Sequence, residues 1–147
     1  DGELPALAES IMKLASLGNV EMRGGFEGFE SLPFAECDAF LYTSSSDGMP
    51  NVVIEAMAHG LPVIAPAVGG IGDLVDDDTG WLVSRVDRAD AYLAAIDELS
   101  AHPVQRFERA ERALQRVRAR HDYAAFEVAL CGVPGYVEAS TGKEGCV

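Results

Sequence analysis

The sequence predicts an α/β fold, a parallel sheet flanked by helices, and three observations carry that prediction. Short apolar runs of strand character, at 39–43, 62–65 and 81–83, alternate with longer stretches of helical period. Each of the first two runs leads through a turn-rich loop into a helix, the order that yields parallel pairs. No internal repeat or low-complexity segment interrupts the pattern, so one domain over 1–131 and a C-terminal tail over 132–147 are expected.

The elements follow in order. Leu4, Leu7, Ala8, Ile11, Leu14 and Ala15 mark a helix over 3–17, with Gly18 as its stop. Residues 19–23 read as a strand ended by Gly24 and Gly25, and 31–36 as a short helix with Ser31 as N-cap. The run 39–43 is aromatic-rich and reads as a buried strand. A polar loop at 44–50 opens a helix over 51–59, with Gly60 at its C′ position. A second buried strand covers 62–65, and a loop at 68–70 leads into one helical turn at 71–75. A turn at 76–80 leads to strand 81–83, and helices follow at 88–100, 103–120 and 122–131.

Bulk properties narrow the function classes. A formal charge of −13, from 24 acids against 11 bases, argues against nucleic-acid binding, which needs a basic footprint. No apolar run reaches the roughly 18 residues of a membrane span; the most apolar stretch is broken by Glu55, His59, Gly60, Pro62 and Pro66. Cys37, Cys131 and Cys146 have no metal-site or disulfide-framework spacing, so three reduced thiols are expected. The start, Asp-Gly-Glu-Leu-Pro, is neither a signal peptide nor an initiating Met, and a beginning inside a longer polypeptide is expected. No Lys or Arg lies between Arg23 and Arg85. An anion bound in that stretch must be held by backbone N–H groups, helix dipoles or cations from elsewhere.

The segment 44–55 is the candidate site. A strand, a glycine-containing loop and a helix start form the usual anion site of open α/β sheets. Gly48 admits close backbone approach, and Pro50 fits near a helix start because it has no N–H to lose. Free N–H groups at Asn51, Val52 and Val53 are expected to face a ligand. Asp47 and Glu55, eight positions apart, can each accept hydrogen bonds from vicinal hydroxyls such as those of a sugar or ribose. Taken alone, Asp47 reads equally as a turn or capping residue, and Glu55 as an ordinary helix acid.

Residues 46–65, Ser-Asp-Gly-Met-Pro-Asn-Val-Val-Ile-Glu-Ala-Met-Ala-His-Gly-Leu-Pro-Val-Ile-Ala, closely resemble the signature of retaining glycosyltransferases of the GT-B fold, group 1 or family 4 type. Val68-Gly69-Gly70, Thr79-Gly80-Trp81-Leu82-Val83, Gly24 and Cys37-Asp38-Ala39-Phe40 resemble further family positions in the same order. The resemblance implies a Rossmann-like domain, the C-terminal half of a GT-B fold lacking its first strands. In the 3-2-1-4-5-6 order the absent pair would lie between 19–23 and 39–43. The resemblance assigns Asp47 to hydroxyls of the donor sugar near the reacting carbon and Glu55 to the ribose. It assigns Gly48, Met49, Pro50, Asn51, Val52 and Val53 to sugar or pyrophosphate, and Gly69 and Gly70 to a loop closing on the donor. Gly24, Gly25 and Phe26 are placed near the base. Asp47 stands where the family usually has Glu, and Asp73 where it often has Glu. The implied substrate is a nucleoside diphosphate sugar, with no cofactor and no metal.

The same resemblance implies that an acceptor-binding N-terminal domain and an Arg/Lys pair for the pyrophosphate lie outside this chain. Three reduced thiols imply a cytoplasmic location, with any membrane association left to the missing part. A chain lacking those strands is expected to be marginal, rearranged or associated through a free sheet edge. The alternative is a non-catalytic module that still binds a nucleotide sugar. A signalling receiver domain is disfavoured, because no lysine lies between Lys13 and Lys143. Arg106, Arg109, Arg112, Arg116 and Arg120 fall on one helical stripe opposite Phe107, Ala110, Leu114 and Val117. That stripe is expected to face solvent, an acidic partner or anionic lipid. The acids 76–78 read as a solvated turn, His59 as a helix cap and Trp81 as core.

Overall fold

The computed structural model describes residues 12–14 and 16–134, in two compact units divided after Leu32. In the first unit residues 12–14 are helical, and the rest of the expected helix at 3–17 lies largely outside the described residues. Residues 20–26 have no regular structure, so the expected strand at 19–23 does not form. A strand exists only through its ladder, and no described strand pairs with this segment. The helix expected at 31–36 is likewise replaced by two 3₁₀ turns, Phe29–Ser31 and Phe34–Glu36. Pro33 explains the break: it holds Leu32 extended, at φ −80° and ψ 146°. Ser31 is not a cap; its Oγ donates back to the Gly28 carbonyl at 2.7 Å.

The second unit is built on three parallel strands in the order β1 (Phe40–Leu41), β2 (Val63–Pro66) and β3 (Trp81–Val83). Phe40 pairs with Val63, and Ile64 with Trp81. The helices are α1 (Asn51–Ala58), α2 (Ile71–Leu74), α3 (Ala89–Ala101), α4 (Pro103–Arg120) and α5 (Tyr123–Cys131). This is an open Rossmann-like sheet, as the alternation of elements requires. All four residues of β2 are buried, because it is central and covered on both faces. Ile64, Trp81 and Val83 pack against Tyr92 and Leu99 of α3. The buried core also includes Val53, Ala56 and Met57 of α1, and Ala110, Ala113 and Val117 of α4.

β1 departs from expectation: it has two residues, and Leu41 is 46% exposed. It is the edge of the described sheet, so half of its surface has no neighbour. Cys37 is a free thiol, whereas Cys131 is disulfide-bonded, which overturns the expectation of three reduced thiols. No helix among the described residues is long and apolar enough to cross a membrane.

Helix ends follow local chemistry. α1 stops at His59, and Gly60 takes φ +73°. Its N–H donates to Met57 and that of Leu61 to Ala56, both at 3.0 Å, which closes the helix in a Schellman motif. α5 begins at Asp122, whose Oδ1 accepts from the Ala125 N–H at 2.7 Å.

Candidate functional site

Two βα units deliver their loops to the same edge of the sheet. β1 runs into loop 42–50 and then α1; β2 runs into loop 67–70 and then α2. The strands are parallel and adjacent, so both loops emerge at carboxyl ends, where open α/β sheets bind ligands. The loops touch through their backbones. The Gly70 N–H donates to the Gly48 carbonyl at 2.5 Å. Gly69 sits at φ +52°, and a Cβ there would lie 1.6 Å from the Asp47 carbonyl oxygen. One at Gly70 would lie 2.6 Å from the Gly48 carbonyl. Both glycines are therefore needed for the loop-to-loop contact itself.

The site side chains are placed unequally. Asp47 is half-buried and accepts a hydrogen bond at Oδ2 from the Tyr42 hydroxyl at 2.5 Å. That bond, followed by burial, raises the Tyr42 phenol above its ordinary pKa. Ser44 Oγ donates to the Ser46 carbonyl at 2.9 Å and shapes the loop between them. A Cβ at Gly48 would meet nothing within 4 Å, which leaves open space over this peptide. Met49 is exposed and Pro50 is buried, extended at φ −73° as the residue before the helix. Glu55 is exposed, one turn into α1.

The expected row of free N–H groups is shorter than the sequence suggested. Val53 donates to the Pro50 carbonyl at 3.1 Å, and its side chain is fully buried. Only Asn51 and Val52 open the helix without a backbone acceptor among the described residues. Gly24, Gly25 and Phe26 belong to the other unit; Gly24 is at φ +77°, and Phe26 is exposed.

The arginine stripe corrects the sequence reading most sharply. Arg109 is buried and Arg106 and Arg116 half-buried, while Arg112 and Arg120 stay exposed; four of the five reach carbonyls of α2 and of the segment that follows it. Arg109, 8% exposed, donates to the Gly80 carbonyl at 2.8 Å and lies 4.5 Å over the Trp81 ring. Arg112 donates to the Asp78 carbonyl at 2.8 Å. Arg116 donates to the Leu74 carbonyl at 3.1 Å and pairs with Asp76 at 2.8 Å. Arg120 reaches the Asp73 carbonyl at 3.5 Å, and Arg106 pairs with Asp38 at 3.4 Å. Phe107, expected on the packed face, is 70% exposed. These cations hold backbone carbonyls and acids of the fold.

Asp76 closes the turn at 76–79, accepting at Oδ1 from the N–H groups of Asp78 and Thr79. Burial pushes its carboxyl up, but the bonds from Arg116 and Thr79 outweigh this and leave it below its ordinary value. His59 is the C-cap of α1, with its ring stacked on Phe34 at 4.2 Å between centroids.

Known proteins share this architecture. The sucrose-phosphate synthase of Thermosynechococcus elongatus superposes with a TM-score of 0.71 at 28% identity, over 84% of this chain and 32% of that one. HepE of Anabaena, solved in complex with UDP, shares the fold with a TM-score of 0.73 at 24% identity, over 85% of this chain and 35% of that one. In sequence, the sulfoquinovosyl transferase SQD2 of Arabidopsis thaliana is 37% identical over 87 residues, 56% of this chain and 17% of that protein. The lipopolysaccharide core biosynthesis glycosyltransferase LpsE of Rhizobium meliloti is 30% identical over 107 residues, 71% of this chain and 32% of that protein. The chain thus spans a third or less of the length of these two relatives. The fold is that of a GT-B glycosyltransferase domain. The family model for glycosyl transferases group 1 matches residues 1–102, and the chain belongs to that family.

Proposed function

We propose that this chain is the donor-binding part of a glycosyltransferase that moves a sugar from a nucleoside diphosphate sugar to an acceptor with retention of configuration. The observation that carries the reading is the locked pair of loops at adjacent strand ends, with Asp47 on one loop and Glu55 one turn into the helix that it opens. Glu55, exposed, takes the ribose hydroxyls, and Asp47 takes hydroxyls of the donor sugar near the reacting carbon. The N–H groups of Asn51 and Val52, at the positive end of α1, meet the diphosphate. Stabilisation of charge on the departing diphosphate is the main catalytic contribution expected of such a site.

A second reading, a module that binds a nucleotide sugar without transferring it, is favoured by one observation. No Lys or Arg lies between Arg23 and Arg85, and Arg106, Arg109, Arg112, Arg116 and Arg120 are all engaged by the fold. None of these cations is then free for the leaving group, and the two site loops carry none of their own.

Ligand-observed NMR titration with UDP, GDP and ADP, each alone and as its glucose ester, tests the donor site. Glu55→Ala removes charge-assisted hydrogen bonds worth about 1.5–3 kcal/mol, so nucleotide affinity falls roughly 10- to 150-fold. Unchanged affinity in Glu55→Ala excludes this placement of the ribose. If the chain binds nothing, the titration is repeated on the full-length product of the gene that encodes it. Binding without sugar transfer by that product would decide for the second reading.

A further inference from the structure

We propose that Tyr42 is the positioning residue for Asp47: its hydroxyl fixes one oxygen of the carboxylate and leaves the other for a donor-sugar hydroxyl, so that Tyr42 governs sugar binding and not nucleotide binding. The inference rests on the reading of Asp47 as the sugar-holding acid.

The geometry has three parts. Tyr42 is anchored on a rigid element, since it follows β1 directly and its N–H donates to the Ile64 carbonyl at 2.9 Å. Its ring lies 6.5 Å from that of Phe40, at an interplanar angle of 17°. Asp47, in contrast, sits in a loop of serines and glycine, where a lone carboxylate would sample several rotamers. The Tyr42 hydroxyl reaches across that loop to Oδ2 alone. Oδ1 takes no hydrogen bond from any described residue.

The backbone around the pair is also held. Ser44 bonds Ser46 within the loop, and Gly70 bonds Gly48 just beyond the carboxylate. With the peptide fixed on both sides, the remaining freedom of Asp47 is its side-chain torsions, and these are what Tyr42 removes. A charge-assisted O–H···O⁻ bond is directional enough for that. An acid held in its binding rotamer before the ligand arrives loses less freedom on binding. Glu55 has no such link to Tyr42, so contacts to the nucleotide are independent of it.

The test uses the full chain as wild type, Tyr42→Phe, Asp47→Asn and the double variant. Tyr42→Phe keeps the half-buried ring and deletes only the hydroxyl. Affinities for UDP, GDP and ADP are compared with those for their glucose esters. For the base that binds, Tyr42→Phe loses about three- to tenfold on the ester, the usual worth of one hydrogen bond, and keeps the diphosphate unchanged. The double variant binds the ester no more weakly than Asp47→Asn. Independently, ¹³C-tyrosine NMR follows the Tyr42 phenol: Asp47→Asn lowers its midpoint.

Equal weakening of both ligands in Tyr42→Phe, or a Tyr42 midpoint indifferent to Asp47→Asn, overturns the proposal. Failure of the underlying reading has its own signature. Asp47→Asn then binds the ester like wild type while the Tyr42 midpoint still moves. Absence of ester binding even in the full-length gene product also refutes the sugar role, and the inference with it.

Discussion

Replacing Gly69 with alanine sets two costs against the loop contact at the centre of the site. Gly69 is held at φ +52°, a left-handed conformation that costs an L-residue roughly 1–2 kcal/mol. The added Cβ would lie 1.6 Å from the Asp47 carbonyl oxygen, about 1.8 Å inside the 3.4 Å of an ordinary contact. Backbone faces it, so no side-chain rotation relieves the overlap. The loops must separate, and the bond from Gly70 to Gly48 goes with them, a further net loss of about 1 kcal/mol. The total is roughly 2–3 kcal/mol, or a fall in Tm of about 6–10 °C for a chain of this size. Gly72 is the control three positions from Gly69: it is helical, exposed, and open around its would-be Cβ. Alanine there should raise stability by up to about 1 kcal/mol. Thermal melts followed by circular dichroism compare the two. If Gly69→Ala melts within a degree or two of wild type, the loops are not locked as described and the candidate site loses its frame.

Two further outcomes follow from the arginine face. Arg109→Met removes the donor to the buried Gly80 carbonyl and the cation over Trp81, so it should cost about 1–3 kcal/mol and shift the fluorescence of the chain's single tryptophan; Arg109→Lys should recover little, since an ammonium cannot both stack and reach the carbonyl. Asp76, with its carboxyl held below the ordinary value, contributes stability that is present above about pH 4 and lost as pH falls through its lower folded-state value, so melts of Asp76→Asn below pH 4 should lose less than those of wild type, and parallel pH profiles would refute the Arg116–Asp76 pairing.

What could be read from the sequence divides along the range of the interactions involved. α4 was legible to the residue, 103–120, because a proline at its first position and a sustained helical period are local signals. Gly60 was legible as a C′ residue for the same reason: its left-handed φ and the two bonds closing α1 lie within six residues. Among strands, β2 and β3 were legible as short apolar runs. The segment at 19–23, apolar only at Val20 and Met22, reads as a strand and forms none, because a strand is defined by a partner outside its own sequence. The exposure of Leu41 has the same origin, in the open side of β1.

The site divides in the same way. Asp47, Glu55 and the glycines could be named through the family resemblance of the segments that hold them, but the bond from Tyr42 to Asp47 could not be read as anything beyond an aromatic residue at a strand end. The signal was present: Tyr42 alternates with Phe40 on one face and precedes the acid by five residues, the span of one tight loop. The arginines failed for the opposite reason. Their period placed them on one face, and charge assigned that face to solvent. A guanidinium on a three-carbon stem can instead cross an interface and donate to backbone carbonyls, and the segment after α2 presents several that no strand or helix satisfies. Leu74, Asp78 and Gly80 thereby gain donors from a helix more than 25 positions away in sequence. The consequence reaches the candidate site, because the N-cap of α2 is Gly70, the residue bonded to Gly48. The arginine face holds one end of a short segment whose other end frames Asp47. If Asp47 holds the donor sugar as proposed, loosening α4 should weaken binding of the glucose ester in the titration above, although the arginines act only through α2.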